Sequence, residues 1–240
     1  SKERVWKDYF RHVFFVLEKG VIRMNVTTKK ITTIGMLCAL ALIVNVLIHF
    51  PLVPAVSFLS YDPKDIIIVI GGFIYGPLSA LVMSVITSFL EIMYRGGTLL
   101  DVLMNVISTC TFACTAAWIY KQKHTRQGAL CGFLIGTICC ALSMMLWNYI
   151  VTPIYFGMPR EAVAAMLIPG ILPFNVLKCA MNAGITLFLY KPMVTLFRRG
   201  NLVEKSRSGQ NAAFGGGMII IGAFIVITAV FFIFCYQGMI

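Results

Sequence analysis

Residues 50–82 read FPLVPAVSFLSYDPKDIIIVIGGFIYGPLSALV. They contain a proline-rich segment followed by two short apolar segments. The two apolar segments are separated only by the tripeptide GPL at 76–78. Glycine and proline in this order are typical of a tight turn. The stretch therefore predicts two helices, 64–76 and 79–94, that form an antiparallel hairpin.

The rest of the chain is apolar enough for an integral membrane protein. Of its 240 residues, 59% are hydrophobic and 12% are charged, whereas soluble domains carry about 25% charged residues. About 20 apolar residues in a helix cross a bilayer core of about 30 Å. On this basis the sequence predicts seven helices, at 31–50, 64–76, 79–94, 99–120, 128–152, 164–196 and 212–236. In the sixth, Pro169, Gly170 and Pro173 predict a loop or broken entry, with regular helix from about Asn175.

The basic residues indicate how the chain is oriented. The formal net charge is +11, and Lys and Arg concentrate before the first span, between the fourth and fifth, and after the sixth. Short cytoplasmic loops carry an excess of Lys and Arg, so we expect a multi-pass protein with a cytoplasmic N-terminus and a C-terminus outside. A nucleic-acid binder needs its basic residues on one accessible face, near base-reading or stacking groups. Here the basic residues lie between apolar spans, which indicates that they set the orientation of the chain in the membrane and do not bind nucleic acid.

The two ends of the chain differ from the region between them. Residues 1–29 form a basic amphipathic extension, for which an interfacial helix on the inner leaflet and packing on the bundle are equally compatible. Residues 30–197 hold six helices, 198–211 read as a polar cytoplasmic linker, and 212–240 add a helix that we expect to be loosely attached. The predicted fold is an all-α membrane protein: a six-helix transmembrane bundle with an N-terminal interfacial helix and a C-terminal seventh transmembrane helix.

Three polar side chains, Asn148, Asn175 and Lys178, lie in stretches that are otherwise apolar. An unpaired amide or ammonium in hydrocarbon is costly, so such residues are candidates for a site that faces a protein interior or a water-filled cavity. Asn175 and Lys178 are three residues apart and project from one helix face. If the fifth and sixth helices are neighbours, all three groups converge near the outer surface. Bonding to a neighbouring helix is the alternative for either asparagine.

The loop at 50–65 favours a lid over a disordered connector. Its three prolines limit its freedom, and its apolar side chains need a partner to cover them. Tyr155, in the loop predicted after the fifth helix, lies on the same outer side. Glu91 and Arg95 form an i,i+4 pair at the outer end of the third span, which we interpret as more structural than functional.

No residue pattern for catalysis or metal binding is found in the sequence. It has neither a Walker A phosphate loop nor a HExxH pair, and no serine has an evident activating base. The eight cysteines lie in apolar spans without a paired CxxC and His arrangement, so we interpret them as small buried residues. We predict no catalytic residue, no metal site and no cofactor, and we expect another subunit to supply energy for any ATP-driven step.

The order of these features resembles the membrane-embedded substrate-binding (S) components of energy-coupling factor (ECF) vitamin transporters, in particular the riboflavin type. The matching stretches within residues 30–197 are IGMLCALALIVNVL, residues 50–82, WNYIVTPIYFGMP and LPFNVLKCAMNAGI. The resemblance implies a protein of the bacterial cytoplasmic membrane that binds riboflavin from outside and works with an ECF transmembrane coupling protein and two ATPase subunits. FMN or another vitamin as the ligand, and a membrane anchor or signalling protein that does not transport, are the alternatives.

The resemblance also implies roles for individual residues. Asn148, Asn175 and Lys178 would be the polar readers of the ligand, because amides both donate and accept while lysine donates. Lys178 would also suit the phosphate of FMN. The residues implied to cover the flat ring are Leu52, Val53, Pro54, Phe58, Tyr61 and Tyr155. The small residues implied to meet the coupling protein are Gly35, Ala39 and Ala41, with packing inside the bundle as the alternative.

Overall fold

The computed structural model describes residues 28–48, 50–56, 58–200, 202–203 and 216–237. The helices within these ranges are α1 (Thr28–Leu47), α2 (Lys64–Tyr75), α3 (Pro77–Arg95), α4 (Leu99–Lys123), α5 (Arg126–Phe156), α6 (Arg160–Arg199) and α7 (Gly216–Tyr236). All seven predicted helices are present, with shifted ends. The interfacial helix expected within residues 1–29 and most of the linker at 198–211 lie outside the described residues.

Helix α2 is the buried centre of the bundle. The other six helices are long and apolar enough to cross a membrane, but α2 has only 12 residues. Every residue from Lys64 to Phe73 is buried, and α2 packs against α3, α4 and α6. An apolar helix of about 10 to 14 residues is typical of a core helix rather than a lipid-facing span.

The tight turn predicted between α2 and α3 is present. Gly76 has a φ of +95°, a conformation that glycine adopts without strain. Pro77 then begins α3, at a position where a missing N–H has no helical partner to lose. The turn places α2 and α3 side by side as an antiparallel pair, as predicted.

The irregular entry predicted at the start of α6 is a π turn and not a loop, and regular α-helix begins at Leu172. The backbone stays helical from Arg160 to Arg199 and passes through a π turn at Leu167–Ile171. Pro173 has no N–H with which to bond the carbonyl of Pro169 four residues earlier. The hydroxyl of Tyr236, on α7, donates to that carbonyl instead. A partner from another helix therefore replaces the backbone hydrogen bond that the proline removes.

The predicted end of α5 is wrong. The helix continues through Pro153 to Phe156. Tyr155 therefore lies on the last turn of α5 and not in a loop. A proline usually ends or kinks a helix because it lacks an N–H, and that general tendency placed the predicted end too early.

Helix α7 packs closely on α6, in contrast to the loose attachment that we expected. Gly184 on α6 faces Gly222 on α7, and a Cβ atom placed on Gly222 would lie 2.6 Å from the Gly184 carbonyl oxygen. The two backbones can approach this closely only because neither residue has a side chain. Towards its C-terminal end, α7 adds Ala229 and Ile233 to a hydrophobic cluster that also holds residues of the α1–α2 loop.

The loop between α1 and α2 packs onto the bundle, as the lid interpretation predicts. It contains a 3₁₀ turn at Pro54–Val56 and an antiparallel bridge between Pro51 and Ser60. The buried hydrophobic side chains of the loop are Leu52, Val53, Val56, Leu59 and Tyr61. They form one hydrophobic cluster with Phe174 of α6 and Ile233 of α7, so the loop is held over the N-terminal half of α6.

Candidate functional site

A cavity of about 260 Å³ lies against the loop between α1 and α2. Its other walls come from α3, α4, α5 and α6. The volume is close to the lower end of the range of about 300 to 1,000 Å³ that ligand pockets occupy. A smaller pocket of about 60 Å³ shares Phe58, Asp101 and Asn148 with this cavity, so the two adjoin.

The structure brings Asn148, Asn175 and Lys178 together on the lining of this cavity. Their exposed fractions are 2%, 3% and 4%, so all three face the protein interior rather than lipid. Helices α5 and α6 are packed neighbours, which was the condition on which the convergence depended.

Each asparagine is held by its own helix and keeps part of its hydrogen-bonding capacity. Asn148 donates to the carbonyl of Met144 at 2.8 Å and accepts from the hydroxyl of Thr152 at 2.9 Å. Asn175 donates to the carbonyl of Ile171, at the end of the π turn, at 2.8 Å. An amide has two N–H donors and an oxygen with two lone pairs. Each side chain is therefore fixed in orientation, while among the described residues one N–H and at least one lone pair of each stay available.

Lys178 is held by two carboxylates that we did not predict as its partners. Its Nζ lies 3.2 Å from Oδ2 of Asp62 and 3.4 Å from Oδ2 of Asp65. It also donates to Oγ of Ser108 over a longer 3.5 Å. Burial alone would raise the pKa of Asp62, which lies in the loop, but the nearby cations, Lys178 foremost, lower it to about 2. The lysine is thus a buried cation whose charge is balanced by its neighbours.

A second group of ions surrounds Glu91. Its Oε1 accepts from Nη1 of Arg95 at 2.6 Å, which confirms the predicted i,i+4 pair, and from Nδ2 of Asn45 at 3.0 Å. Its Oε2 pairs with Nζ of Lys64. Arg95 also lies 3.5 Å from Oδ1 of Asp62, which joins this group to Lys178. Because Glu91 and Arg95 line the cavity, the pair belongs to the candidate site as well as to α3.

A buried hydrogen-bond network holds Asp65 in place. Asp65 accepts from Oγ1 of Thr109 at 2.7 Å and from Nδ2 of Asn182 at 3.4 Å. The hydroxyl of Tyr61 donates to Oδ1 of Asn182 at 2.7 Å. Tyr61 is therefore tied into this network and does not line the cavity, in contrast to its predicted role over the ring. The sequence did contain a signal for the network, since Asn182 follows Lys178 by one helical turn.

The other residues predicted to cover a ring fall into two groups. Phe58 lines both the cavity and the smaller pocket, and Tyr155 lines the smaller pocket. Leu52 and Val53 are fully buried and line neither space, because they fill the contact of the loop with α6 and α7. Pro54 is exposed and also lines neither space. Contact of these three residues with a bound ring stays a prediction.

The small residues of α1 do not share one surface. Gly35 and Ala39 are exposed, and no atom would lie within 4 Å of a Cβ placed on Gly35. Ala41 is fully buried in the core, so its assignment to a docking surface is wrong. At about 100° per residue, Ala39 lies about 40° from Gly35 around the helix and Ala41 about 120° away. The open face of α1 is therefore formed by Gly35 and Ala39.

This fold and cavity define a membrane-embedded helical bundle that is built to enclose a small ligand. A sequence model described as "ECF transporter, substrate-specific component" matches residues 29–190. The chain belongs to that family, which confirms the predicted resemblance, and it is a multi-pass membrane protein. Helix α7 lies beyond the matched residues.

Similar proteins extend the comparison. The riboflavin transporter RibU of Staphylococcus aureus (strain TCH60) is 25% identical over 177 residues, which cover 71% of this chain and 93% of that protein. The riboflavin transporter FmnP of Bacillus subtilis (strain 168) is 27% identical over 160 residues, which cover 62% of this chain and 84% of that protein. A solved structure described as "Structure and mechanism of the S component of a bacterial ECF transporter" has a TM-score of 0.62 at 27% identity, covering 72% of this chain and 99% of the other.

Proposed function

We propose that this chain binds riboflavin and carries it across the bacterial cytoplasmic membrane as the substrate-specific subunit of an ECF transporter. A separate transmembrane coupling protein and two ATPase subunits supply the energy, in keeping with the lack of a Walker A motif in this sequence. The N-terminus is cytoplasmic, so the cavity opens on the outer side. The observation that carries the proposal is the meeting of Asn148, Asn175 and Lys178 on one cavity, in a chain whose relatives include proteins named riboflavin transporters.

The chemistry of the lining suits a flavin. Riboflavin has a flat ring that needs apolar and aromatic walls, and Phe58 and Phe174 supply aromatic surface on the lining. Its pyrimidine edge alternates donors and acceptors. Asn148 and Asn175 each retain an N–H and an acceptor lone pair with which to read such an edge.

Lys178 acts as a donor to the ligand without giving up its ion pairs. Its Nζ lies 3.5 Å from Oγ of Ser108, a distance longer than the usual 2.7 to 3.2 Å between the donor and acceptor atoms of a hydrogen bond. The N–H that points to Ser108 can turn towards a ligand carbonyl while Asp62 and Asp65 continue to balance the charge. The ligand then receives a hydrogen bond from a cation at little cost to the protein.

The loop and α1 perform the two remaining tasks of the proposal. The loop covers the ligand, and its Phe58 ring already lies 5.3 Å from the ring of Phe156 at the end of α5. The exposed small-residue face of α1, at Gly35 and Ala39, meets the coupling protein, since residues without bulk let helices approach closely.

The test replaces each asparagine by leucine and measures riboflavin affinity by quenching of flavin fluorescence on purified protein in detergent. We expect Asn148→Leu and Asn175→Leu each to weaken binding by about tenfold or more, because a lost hydrogen bond in a buried site costs about 1 to 3 kcal/mol. Thr137→Val is the matched control, since Thr137 is also on α5 but its hydroxyl donates to the carbonyl of Phe133 on the same helix, away from the cavity lining.

Equal affinities in the control and the two leucine variants would contradict the assignment of the site. The absorbance and mass spectra of whatever co-purifies with the unmodified chain provide an independent check. A bound flavin supports the proposal, whereas a different vitamin would replace riboflavin as the ligand.

A further inference from the structure

We propose that the cavity binds riboflavin in preference to its phosphate ester, FMN, and that Asp101 is the residue that determines this preference. The inference rests on the proposed function, and it names the form of the ligand. It replaces the idea that Lys178 receives the phosphate. Three features of the described residues carry it: the pairing of the cations, the geometry of Asp101, and the N-terminus of α4.

The cations on the lining are already paired with carboxylates. Arg95 lies 2.6 Å from Glu91 and 3.5 Å from Asp62. Lys178 lies 3.2 Å from Asp62 and 3.4 Å from Asp65. A phosphate would bind either cation only by displacing one of these carboxylates or by sharing the cation with it. Either change leaves an excess of negative charge in a buried site, which is unfavourable.

Asp101 presents a carboxylate with one oxygen held and the other open. Its Oδ2 accepts three hydrogen bonds, from N of Thr98 at 2.7 Å, from Oγ1 of Thr98 at 3.0 Å and from the hydroxyl of Tyr155 at 2.9 Å. Within the described part of the chain, Oδ1 receives no hydrogen bond. Asp101 lines both the main cavity and the smaller pocket. It therefore offers an oriented acceptor where the two spaces adjoin.

The N-terminus of α4 would otherwise attract an anion. Helix N-termini carry free N–H groups and a partial positive charge that favour phosphate. In α4 this end is closed by a capping box, in which the Asp101 carboxylate accepts from the backbone of Thr98. The Asp101 carboxylate thus places a negative charge in the first turn of α4, and a ligand phosphate would meet that charge there.

These features distinguish the two flavins. The hydroxyls of the riboflavin side chain can donate to the open oxygen of Asp101. A phosphate monoester carries about −1.5 to −2 charges at neutral pH and lacks a hydroxyl at that end. Together with Lys64 and Asp65, which pair with lining residues, the described site holds four carboxylates, Asp62, Asp65, Glu91 and Asp101, against three cations, Lys64, Arg95 and Lys178. The site is therefore negative before the ligand enters.

The experiment measures the affinities of riboflavin and FMN for the unmodified full chain, for Asp101→Asn and for Glu161→Gln, by flavin fluorescence titration. Glu161 is an exposed acid near the start of α6, so its variant controls for the removal of one negative charge outside the cavity. Riboflavin 5′-acetate, which lengthens the side chain without adding charge, separates the effect of charge from that of size.

We expect the unmodified chain to bind FMN about 100-fold more weakly than riboflavin, since like charges at short range in a partly buried site are strongly unfavourable. The ratio of the FMN and riboflavin dissociation constants should fall to about tenfold in Asp101→Asn, because loss of one charge removes part of that repulsion. In Glu161→Gln the ratio should stay at about 100-fold. Riboflavin 5′-acetate should bind much more tightly than FMN. This last comparison uses the unmodified chain and does not depend on how well a variant folds.

Three results would overturn the inference while leaving the proposed function intact: equal affinity for riboflavin and FMN, an unchanged ratio in Asp101→Asn, or an acetate ester that binds as weakly as FMN. If the unmodified chain binds no riboflavin at all, the proposed function fails and this inference fails with it. The riboflavin titration of the unmodified chain therefore separates the two failures.

Discussion

Replacing Lys178 by methionine tests whether the buried ion network is part of the fold. The substitution keeps an unbranched apolar side chain as far as Cε and removes the cation that Asp62 and Asp65 share. Removing one partner of a buried ion pair typically costs about 3 to 5 kcal/mol. Asp62 keeps Arg95 at 3.5 Å, and Asp65 keeps its hydrogen bond from Thr109. We therefore expect a loss of about 3 kcal/mol, at the lower end of that range.

The assay is thermal unfolding in detergent, without ligand. A loss of about 3 kcal/mol corresponds to a fall in Tm of about 10 °C for a domain of this size. Lys191→Met is the matched control, because Lys191 is exposed on the same helix. The double variant Lys178→Met/Asp65→Asn should recover most of the loss, since Asp62 then still has Arg95 as its partner. Lys178→Met/Asp62→Asn should recover less, since Asp65 has no other cation within 4 Å in the described residues.

The reasoning fails if Lys178→Met and Lys191→Met unfold at the same temperature, or if the two double variants are equally stable. The result also determines how binding data on Lys178 are interpreted. If the network is structural, a loss of flavin affinity in a Lys178 variant combines a lost ligand contact with a disturbed cavity. The leucine variants of the asparagines are then the cleaner test of ligand recognition.

Two further predictions concern the surfaces of the bundle. Gly222→Leu should lower the stability of the chain by about 1 to 3 kcal/mol, because the new side chain meets the Gly184 carbonyl, which lies 2.6 Å from a Cβ at that position. Thermal unfolding checks this against Thr228→Leu at a half-buried position of α7, and an unchanged Tm in Gly222→Leu would contradict it. Gly35→Leu should leave riboflavin affinity unchanged while uptake by cells falls, since it adds bulk to the open face of α1. Normal uptake with normal protein levels would exclude that face as the docking surface.

The sequence was sufficient for the helices and for the shared face of Asn175 and Lys178, because both follow from local patterns, whereas the meeting with Asn148 depended on a contact between α5 and α6 that only the fold shows. Apolar length predicts the spans, the GPL turn at 76–78 predicts the hairpin, and helical spacing places Asn175 and Lys178 on one face. The prolines at 153 and 173 were misinterpreted. A proline is tolerated inside a membrane helix when a neighbour satisfies the carbonyl that it frees. At Pro173 the donor is Tyr236, which is remote in sequence and invisible to any local rule.

The ion network was predicted only where its partners are close in sequence. Glu91 and Arg95 are four residues apart on one helix, and their pairing was expected. Asp62 and Lys178 are 116 positions apart, so nothing in the spacing of the sequence connects them. The sequence does show that Lys178 must have a partner, since an unpaired ammonium in an apolar interior is costly. Whether that partner is a ligand or the protein itself depends on tertiary packing.

Asn45 connects the proposed ligand site with the helix proposed to dock on the coupling protein. Its Nδ2 donates to Glu91 and its backbone carbonyl accepts from Nη2 of Arg95 at 2.8 Å. Asn45 belongs to α1, the helix that exposes Gly35 and Ala39. Glu91 and Arg95 line the cavity, so a ligand that draws either side chain towards itself changes the hydrogen bonds that hold α1. The cavity lining and α1 are therefore connected by hydrogen bonds through Asn45, a buried residue.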